Sequence, residues 1–136
     1  MKDAMTLMGG CSLCVLSTVD SNGASESALV GFSVFNDQDL TIGTDRNSRK
    51  FKNILVNSRV SVVIGWEDKS VQYEGVAREL VGQELEDRQK EHFIKNPGSA
   101  KYKDEPGEVY VSISPTWIRF TDGTVDPWRV EERQFS

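Results

Sequence analysis

The stretch TIGTDRNSRKFKNILVN, residues 41–57, joins a strand-like run to a group of cations and then to a helical pattern. The group takes four of the chain's 16 Lys and Arg residues, namely Arg46, Arg49, Lys50 and Lys52. The formal net charge of the whole chain is −5, so these cations stand against an acidic background. We therefore predict a binding site for an anionic ligand in this stretch.

The same stretch contains three candidate N-caps for a helix, Asp45, Asn47 and Ser48. If one of them caps the helix, the free backbone N–H groups of the first turn point to solvent beside Arg49 and Lys50. A phosphate group fits this arrangement. The alternative is an ordinary solvated helix start whose cations aid solubility. Basic residues are mildly unfavourable at a helix N-terminus, and this favours the ligand.

Length and composition restrict the class of protein. The 136 residues fit one domain that buries its own core, and 38% hydrophobic with 27% charged residues is ordinary for a globular chain. The acidic balance disfavours nonspecific binding of nucleic acid, which needs a broad basic surface. The opening MKDAMTLMGG lacks an apolar signal-peptide core, and no run has membrane-spanning length. We expect a cytoplasmic protein that binds neither nucleic acid nor membrane.

The cysteine and histidine residues argue against metal chemistry. Cys11 and Cys14 form a C-x-x-C within CSLCVLSTV, which has the pattern of a strand, where positions three apart face opposite sides. Two buried, reduced thiols are favoured over a redox or metal pair. His92 is the only histidine, and its surroundings, EHFIKN, predict a partly exposed helix position. We predict no metal site.

Most of the chain has strand patterning. Apolar alternation and turn signals predict strands at residues 11–19, 25–35, 40–44, 59–66, 70–81 and 108–120. Asn22-Gly23 predicts a hairpin, and the first three strands are expected to form a meander. Helices are predicted before Gly9, after the cationic group and at residues 84–95. We expect a barrel domain at residues 1–122 and a C-terminal tail at residues 123–136 packed on or near it.

The order of these motifs resembles the pyridoxamine 5′-phosphate oxidase-like family of flavin-binding split barrels. The resemblance rests on CVLSTVDSNG, on the T-x-x-x-S-R-K segment that leads into a helix and N-S-R-V-S, on VQYEGVAREL, and on the closing SPTWIRFTDG. It implies a mainly β fold, a six-stranded antiparallel split barrel of Greek-key type with two or three peripheral helices. It also implies a homodimer with flavin mononucleotide (FMN) at the interface.

The resemblance also implies roles for particular residues. Arg49 and Lys50 are expected to hold the FMN phosphate, with Thr44 and Ser48 beside them. The strand through residues 27–32 is expected to run along the flavin ring. The family position that matches Ser70 is commonly a glutamine, whereas here the glutamine is Gln72, on the same face of the strand. The full set of expected cofactor contacts is Leu29, Val30, Gly31, Phe32, Gly43, Thr44, Ser48, Arg49, Lys50, Ser70 and Gln72.

The chain departs from the family pattern near its C-terminal end. In true pyridoxamine phosphate oxidases the segment that matches FTDG reads F-W-x-G and is followed by an R-L-H motif that binds flavin and substrate phosphate. Here Thr121 replaces that tryptophan, and no histidine follows His92. We therefore expect weak or absent oxidation of pyridoxamine phosphate.

Two classes of function remain open. The first is an FMN-dependent oxidoreductase that acts on a small substrate, with NADH or NADPH as electron donor. The second is a non-catalytic flavin or haem module that stores or senses its ligand. A deazaflavin-dependent reductase of the same barrel type is a third possibility, and the acidic surroundings disfavour its polyanionic cofactor. No catalytic residue is assigned, because hydride transfer belongs to the flavin.

Overall fold

Eight antiparallel strands form one curled sheet with three helices and one 3-10 helix around it, in a computed structural model that describes residues 1–136. The elements, in chain order, are α1 (Lys2–Gly10), β1 (Leu13–Val19), β2 (Ser25–Gly31), β3 (Ser33–Phe35), β4 (Asp39–Asp45), α2 (Arg49–Val56), β5 (Arg59–Ile64), β6 (Lys69–Glu79), α3 (Gly82–Lys95), the 3-10 helix (Pro97–Tyr102), β7 (Glu108–Asp122) and β8 (Arg129–Gln134). None of the helices combines the length and the apolar character that crossing a membrane requires.

The strand order confirms the split-barrel class and corrects the strand count. Seven strands follow one path, β2-β1-β5-β6-β7-β4-β3, and β8 pairs with β7 beside it, where six were predicted. Both pairings of the predicted meander are present, because β1 pairs with β2 and β3 pairs with β4, but the predicted middle strand is divided. β2 and β3 lie at opposite ends of the path, although only Phe32 separates them in sequence. Phe32 and Ser33 are both buried, so the in-out alternation changes phase here and the single predicted strand divides in two.

The core lies inside the curl of the sheet, and strand alternation builds it. Val60, Val62 and Ile64 of β5 are buried while their neighbours face out, and β6 buries Val71 and Tyr73 in the same way. This confirms the predicted alternation of β6. Burial of a large aliphatic or aromatic side chain contributes about 1.5–3 kcal/mol, and this is the main source of stability of the sheet.

Helix α3 turns a polar face towards the sheet. Its buried residues are Arg88, Gln89 and His92, whereas Ile94 is 81% exposed. The predicted partial exposure of His92 is therefore wrong. The helix rests on the outer face of β3, β4 and β7, where polar strand residues supply partners. The Ser33 hydroxyl lies 2.9 Å from His92 Nδ1, for example.

The last fourteen residues contain a strand that the sequence reasoning did not predict. β8 pairs along its whole length with the second half of β7, from Asp122 opposite Arg129 to Trp117 opposite Gln134. Its sequence, RVEERQ, is nearly all polar because most of its side chains are solvent-exposed. Such a strand lacks the apolar alternation by which strands are predicted from sequence.

The two cysteines are free thiols. Cys14 is fully buried in β1, and burial raises the pKa of its thiol to about 12, as the prediction of an inert core cysteine requires. Cys11 is only partly buried, because it ends α1 and precedes the strand. No cluster of three or more His, Cys, Asp or Glu side chains is arranged to hold a metal ion.

Candidate functional site

The cationic turn, residues 44–50, has a defined hydrogen-bonded shape. Ser48 is the N-cap of α2, and its hydroxyl accepts from the Phe51 N–H at 3.2 Å. The Thr44 hydroxyl donates in turn to Ser48 Oγ at 3.1 Å, and the Asp45 carboxylate accepts from the Asn47 N–H at 2.7 Å. The predicted helix start is thereby confirmed, with Ser48 as the cap. The end of β4 and the first turn of α2 are held together by these bonds.

The cations of the turn have different surroundings. Arg46 is bound to Glu79 at 2.7 Å and lies over the Phe51 ring, so its charge is used within the fold. The side chain of Arg49 is 81% exposed and contacts a single carboxylate, that of Glu26. Lys50 forms no salt bridge. Arg49 and Lys50 are thus the cations that remain accessible to a ligand.

A pocket of about 250 Å³ opens beside these two residues. Strands β1 and β2 supply its other wall, and the lining residues are Leu16, Thr18, Glu26, Ser27, Ala28, Arg49 and Lys50. Arg49, Lys50 and the main chain of β2 therefore border the same small cavity.

The structure adds three polar residues that sequence reasoning missed. The Asn53 side chain, buried in α2, donates to Thr18 Oγ1 at 3.0 Å and also to the Glu26 carboxylate. These bonds tie α2 to β1 and β2 and direct Glu26 into the pocket beside Arg49. An asparagine among the apolar positions of a short helix was the available signal for this link.

Strand β2 forms an edge of the sheet, so one side of its main chain is free of strand partners. Leu29 is 61% exposed on its outer face, and Gly31 follows on the same face. The side chains of Val30 and Phe32 are buried in the core. Of these expected flavin contacts, Val30 and Phe32 can therefore offer only main-chain groups. Free N–H and C=O groups of an edge strand are suited to bind a planar polar ring.

Gly43 is not among the residues that line the 250 Å³ pocket. It faces Tyr110, and a Cβ at this position would lie 2.8 Å from Tyr110 Cε1. Gly43 directly precedes Thr44, the first residue of the cationic turn, and the absence of a side chain at position 43 leaves room for the Tyr110 ring of β7.

Ser70 and Gln72 lie on the outer face of β6, three strands away from β2 along the sheet. With about 4.8 Å between neighbouring strands, this separation is about 14 Å. Within one chain, Ser70 and Gln72 are thus well separated from the β2 edge.

Apolar side chains are exposed on the outer face between these two regions. In the strand register Val15 lies opposite both Leu29 and Val63, and Val63 lies opposite Gln72. Leu13, Leu29 and Val63 are all exposed. A continuous row of exposed aliphatic residues is typical of a surface that another protein covers.

Residues 2–122 match the family model described as Pyridoxamine 5'-phosphate oxidase. This match spans most of the 136 residues, so the chain belongs to this family. The resemblance inferred from the sequence motifs is thereby confirmed. No curated protein sequence matches the chain.

Solved structures share the fold. The General Stress Protein 26 from Bacillus anthracis str. Sterne is 26% identical with a TM-score of 0.76, covering 98% of this chain and 97% of that one. The heme binding protein from Mycobacterium smegmatis is 17% identical with a TM-score of 0.86, covering 97% of this chain and 56% of that one. This chain thus spans about half of that protein's length. A putative pyridoxamine 5'-phosphate oxidase from Listeria innocua is 18% identical with a TM-score of 0.72, covering 88% of this chain and 95% of that one.

Proposed function

We propose that this member of the pyridoxamine 5'-phosphate oxidase family binds FMN and acts as an oxidoreductase on a small substrate. The observation that carries the proposal is the cationic turn. Arg49 and Lys50 are accessible at the N-terminus of α2, beside a Ser48 cap and a pocket that reaches the β2 edge. Charge-assisted hydrogen bonds from both side chains, added to the free N–H groups of α2, match a phosphate monoester.

The size of the pocket supports a ligand that extends beyond it. About 250 Å³ accommodates a phosphate and part of a ribityl chain. The three-ring flavin then lies along the edge of β2, where Leu29, Val30, Gly31 and Phe32 offer main-chain groups. Contacts of this type tolerate many side chains, so their residue types alone do not reveal them.

The proposed FMN site is completed by a second copy of the chain. Ser70 and Gln72 lie about 14 Å from β2 within one chain, judged from the strand spacing. A homodimer packed through the exposed row of Leu13, Leu29 and Val63 brings another copy against the β2 edge. Such packing also removes apolar surface from water.

In the proposed reaction the flavin, when bound, supplies hydride transfer, with NADH or NADPH as the electron donor. Arg49 and Lys50 bind and orient the cofactor, and the partner copy excludes water from the ring. Pyridoxamine phosphate is not the proposed substrate. Thr121 stands where the family's tryptophan would lie, and no histidine follows His92 to complete the R-L-H motif that binds flavin and substrate phosphate in true pyridoxamine phosphate oxidases.

A non-catalytic haem module is the second candidate, because one similar structure is named a heme binding protein. The buried state of His92 argues against it. His92 Nδ1 is 2.9 Å from the Ser33 hydroxyl beneath α3, and burial lowers the pKa of the imidazole to about 4. The one histidine could reach a haem iron only if α3 moved. We therefore favour flavin.

The proposal is tested by titrating the full-length protein with FMN and, separately, with riboflavin, which lacks the phosphate. We expect tighter binding of FMN. Arg49→Ala with Lys50→Ala should weaken FMN binding about 100-fold, because two charge-assisted hydrogen bonds are lost. The same double variant should leave riboflavin binding unchanged. Lys52→Ala, a loss of charge elsewhere on α2, is the matched control.

Three results would overturn parts of the proposal. Absence of flavin absorbance after incubation with FMN excludes the cofactor, and equal affinity for FMN and riboflavin excludes the phosphate site. A Soret band on addition of hemin, without flavin binding, favours the haem module. If FMN binds, anaerobic mixing with NADH or NADPH tests the reaction, since a flavin that is never reduced indicates a carrier or sensor.

A further inference from the structure

A cavity of about 390 Å³, larger than the pocket at Arg49 and Lys50, lies between α1, the turn from β5 to β6 and the turn from β7 to β8. Its walls include Leu7, Trp66, Glu67, Asp68, Lys69 and Thr124. None of the expected FMN contacts lines it, so this cavity is separate from the proposed flavin site. A volume of this size is typical of sites for small molecules.

The wall that carries Trp66 has a fixed shape. Gly65 has a φ of +84°, and a Cβ at this position would lie 2.6 Å from the Lys69 carbonyl oxygen, so only glycine fits the turn. The Gly123 N–H donates to the Asp68 carbonyl at 2.7 Å, which joins the β7–β8 turn to the β5–β6 turn. The cavity is therefore formed before a ligand arrives, and binding does not have to order its walls.

Trp66 is held open at this wall. Its side chain is 57% exposed, although it follows a tight turn that fixes the main chain. Tryptophan is a large apolar residue whose burial is strongly favourable, and it is enriched where one molecule binds another. An exposed indole on a rigid cavity wall offers a flat face on which an aromatic ring can stack.

The charges of the lining favour a cation over an anion. Glu67 and Asp68 form no salt bridge. Lys69 is the one cation of the lining, and it lies directly opposite Asp122 in the register of β6 and β7, where opposite charges attract. The balance of the cavity is therefore negative. A positive charge is also attracted to the face of a tryptophan ring.

We propose that this cavity binds a small, flat aromatic cation, with its ring stacked on Trp66 and its charge beside Glu67 and Asp68. The rigid wall, the exposed indole and the unpaired carboxylates all match this class of ligand. A metal ion is a poorer occupant, because no three metal-ligating side chains are arranged to hold one.

The test uses N-methylquinolinium as the cation and quinoline, which is neutral at neutral pH, as its counterpart of nearly the same shape. The full-length protein is titrated with each compound and followed by NMR of the tryptophan Nε1–H signals. We expect saturable binding of N-methylquinolinium, at least tenfold weaker binding of quinoline, and a shift of the Trp66 signal. The Trp117 signal should stay in place, because Trp117 lies six residues before Gly123 on β7, about 20 Å along the strand.

Two variants test the stacking and the charge separately. Trp66→Leu should weaken N-methylquinolinium binding about tenfold through loss of the ring face. Trp128→Leu is its matched control, since Trp128 is 69% exposed but does not line the cavity, and it should bind normally. Glu67→Gln with Asp68→Asn should remove the preference for N-methylquinolinium over quinoline. Asp104→Asn with Glu105→Gln neutralises another pair of adjacent exposed acids and should keep that preference.

Several results would overturn the proposal. They are a titration with N-methylquinolinium that does not saturate, equal affinity for quinoline, a Trp66 signal that does not shift, and a charge preference that survives in Glu67→Gln with Asp68→Asn. That variant does not alter Trp66, so the proposal stays testable if Trp66→Leu fails to fold. The titration is repeated with FMN present, and we expect the same affinity. Displacement of N-methylquinolinium by FMN would show that the cavity belongs to the flavin site.

Discussion

The cationic turn and the sheet face covered by α3 each contain an arginine, and the two arginines have opposite surroundings. Arg88 is 1% exposed and donates to Thr41 Oγ1, Ser112 Oγ and the Leu40 carbonyl, with its guanidinium over the Phe35 ring. Arg49 is exposed and contacts only one carboxylate. An arginine whose donors are satisfied inside the fold is structural, whereas one left at an open helix N-terminus is available for a ligand. The two arginines carry the same charge, so it is the groups they contact that distinguish the structural arginine from the available one.

The largest expected effect comes from removing the Arg88 side chain from the sheet face covered by α3. Arg88→Ala leaves three buried acceptors without their donor and removes packing against Phe35. We expect a loss of about 4 kcal/mol in the free energy of unfolding, measured by urea denaturation. Arg49→Ala is the matched control and should change that free energy by less than about 0.5 kcal/mol. Equal losses in the two variants would contradict the comparison.

The pH dependence of stability tests the same face through His92. Burial lowers the pKa of this imidazole from 6.5 to about 4 in the folded chain. The unfolded chain therefore binds the proton first, and stability that is present above about pH 6.5 is lost as the pH falls towards 4. The contribution is about 3 kcal/mol. His92→Gln should flatten the unfolding free energy between these pH values, and an unchanged slope would show that another group is responsible.

In the cationic turn, Ser48→Ala tests the cap of α2. The Ser48 hydroxyl satisfies the Phe51 N–H and accepts from Thr44. Its loss should lower the free energy of unfolding by about 1 kcal/mol, measured by chemical denaturation. Ser58→Ala, at an exposed position after α2 where the side chain makes no hydrogen bond, should have no measurable effect. A cap that proves dispensable would mean that the turn is shaped by other contacts.

The smallest expected effect is a gain, namely tighter binding of FMN. Glu26 lies in the 250 Å³ pocket and pairs with Arg49, so it competes with the phosphate of the proposed cofactor. Glu26→Gln keeps an acceptor for Asn53 but removes the charge, and FMN binding should tighten about threefold, as expected for a partly exposed ion pair. Titration against wild type measures this, with Glu86→Gln on α3 as control. Weaker binding would show that Glu26 positions Arg49 instead.

Local patterns predicted much of the molecule. The alternation of β6, the helix start at Ser48 and the hairpin at Asn22-Gly23 depend on neighbouring residues, and all three are present. The predicted count of six strands was wrong for two reasons: the strand predicted at residues 25–35 divides into β2 and β3, and β8 is too polar to show an apolar alternation. The role of His92 was also misjudged, since a polar helix face is buried only when the opposing strands offer polar partners. No local pattern contains that information.

The sequence by itself determined which residues form the cationic turn, the alternating strands and the family of the fold, because these features follow from short-range periodicity and motif order. Only the tertiary structure decided which cations are free. Arg46 is paired with Glu79 of β6, whereas Arg49 stays 81% exposed although it contacts Glu26 of β2. It also decided that Ser70 and Gln72 lie three strands away from β2. Such distances arise from the strand order of the curled sheet, which long-range pairing sets.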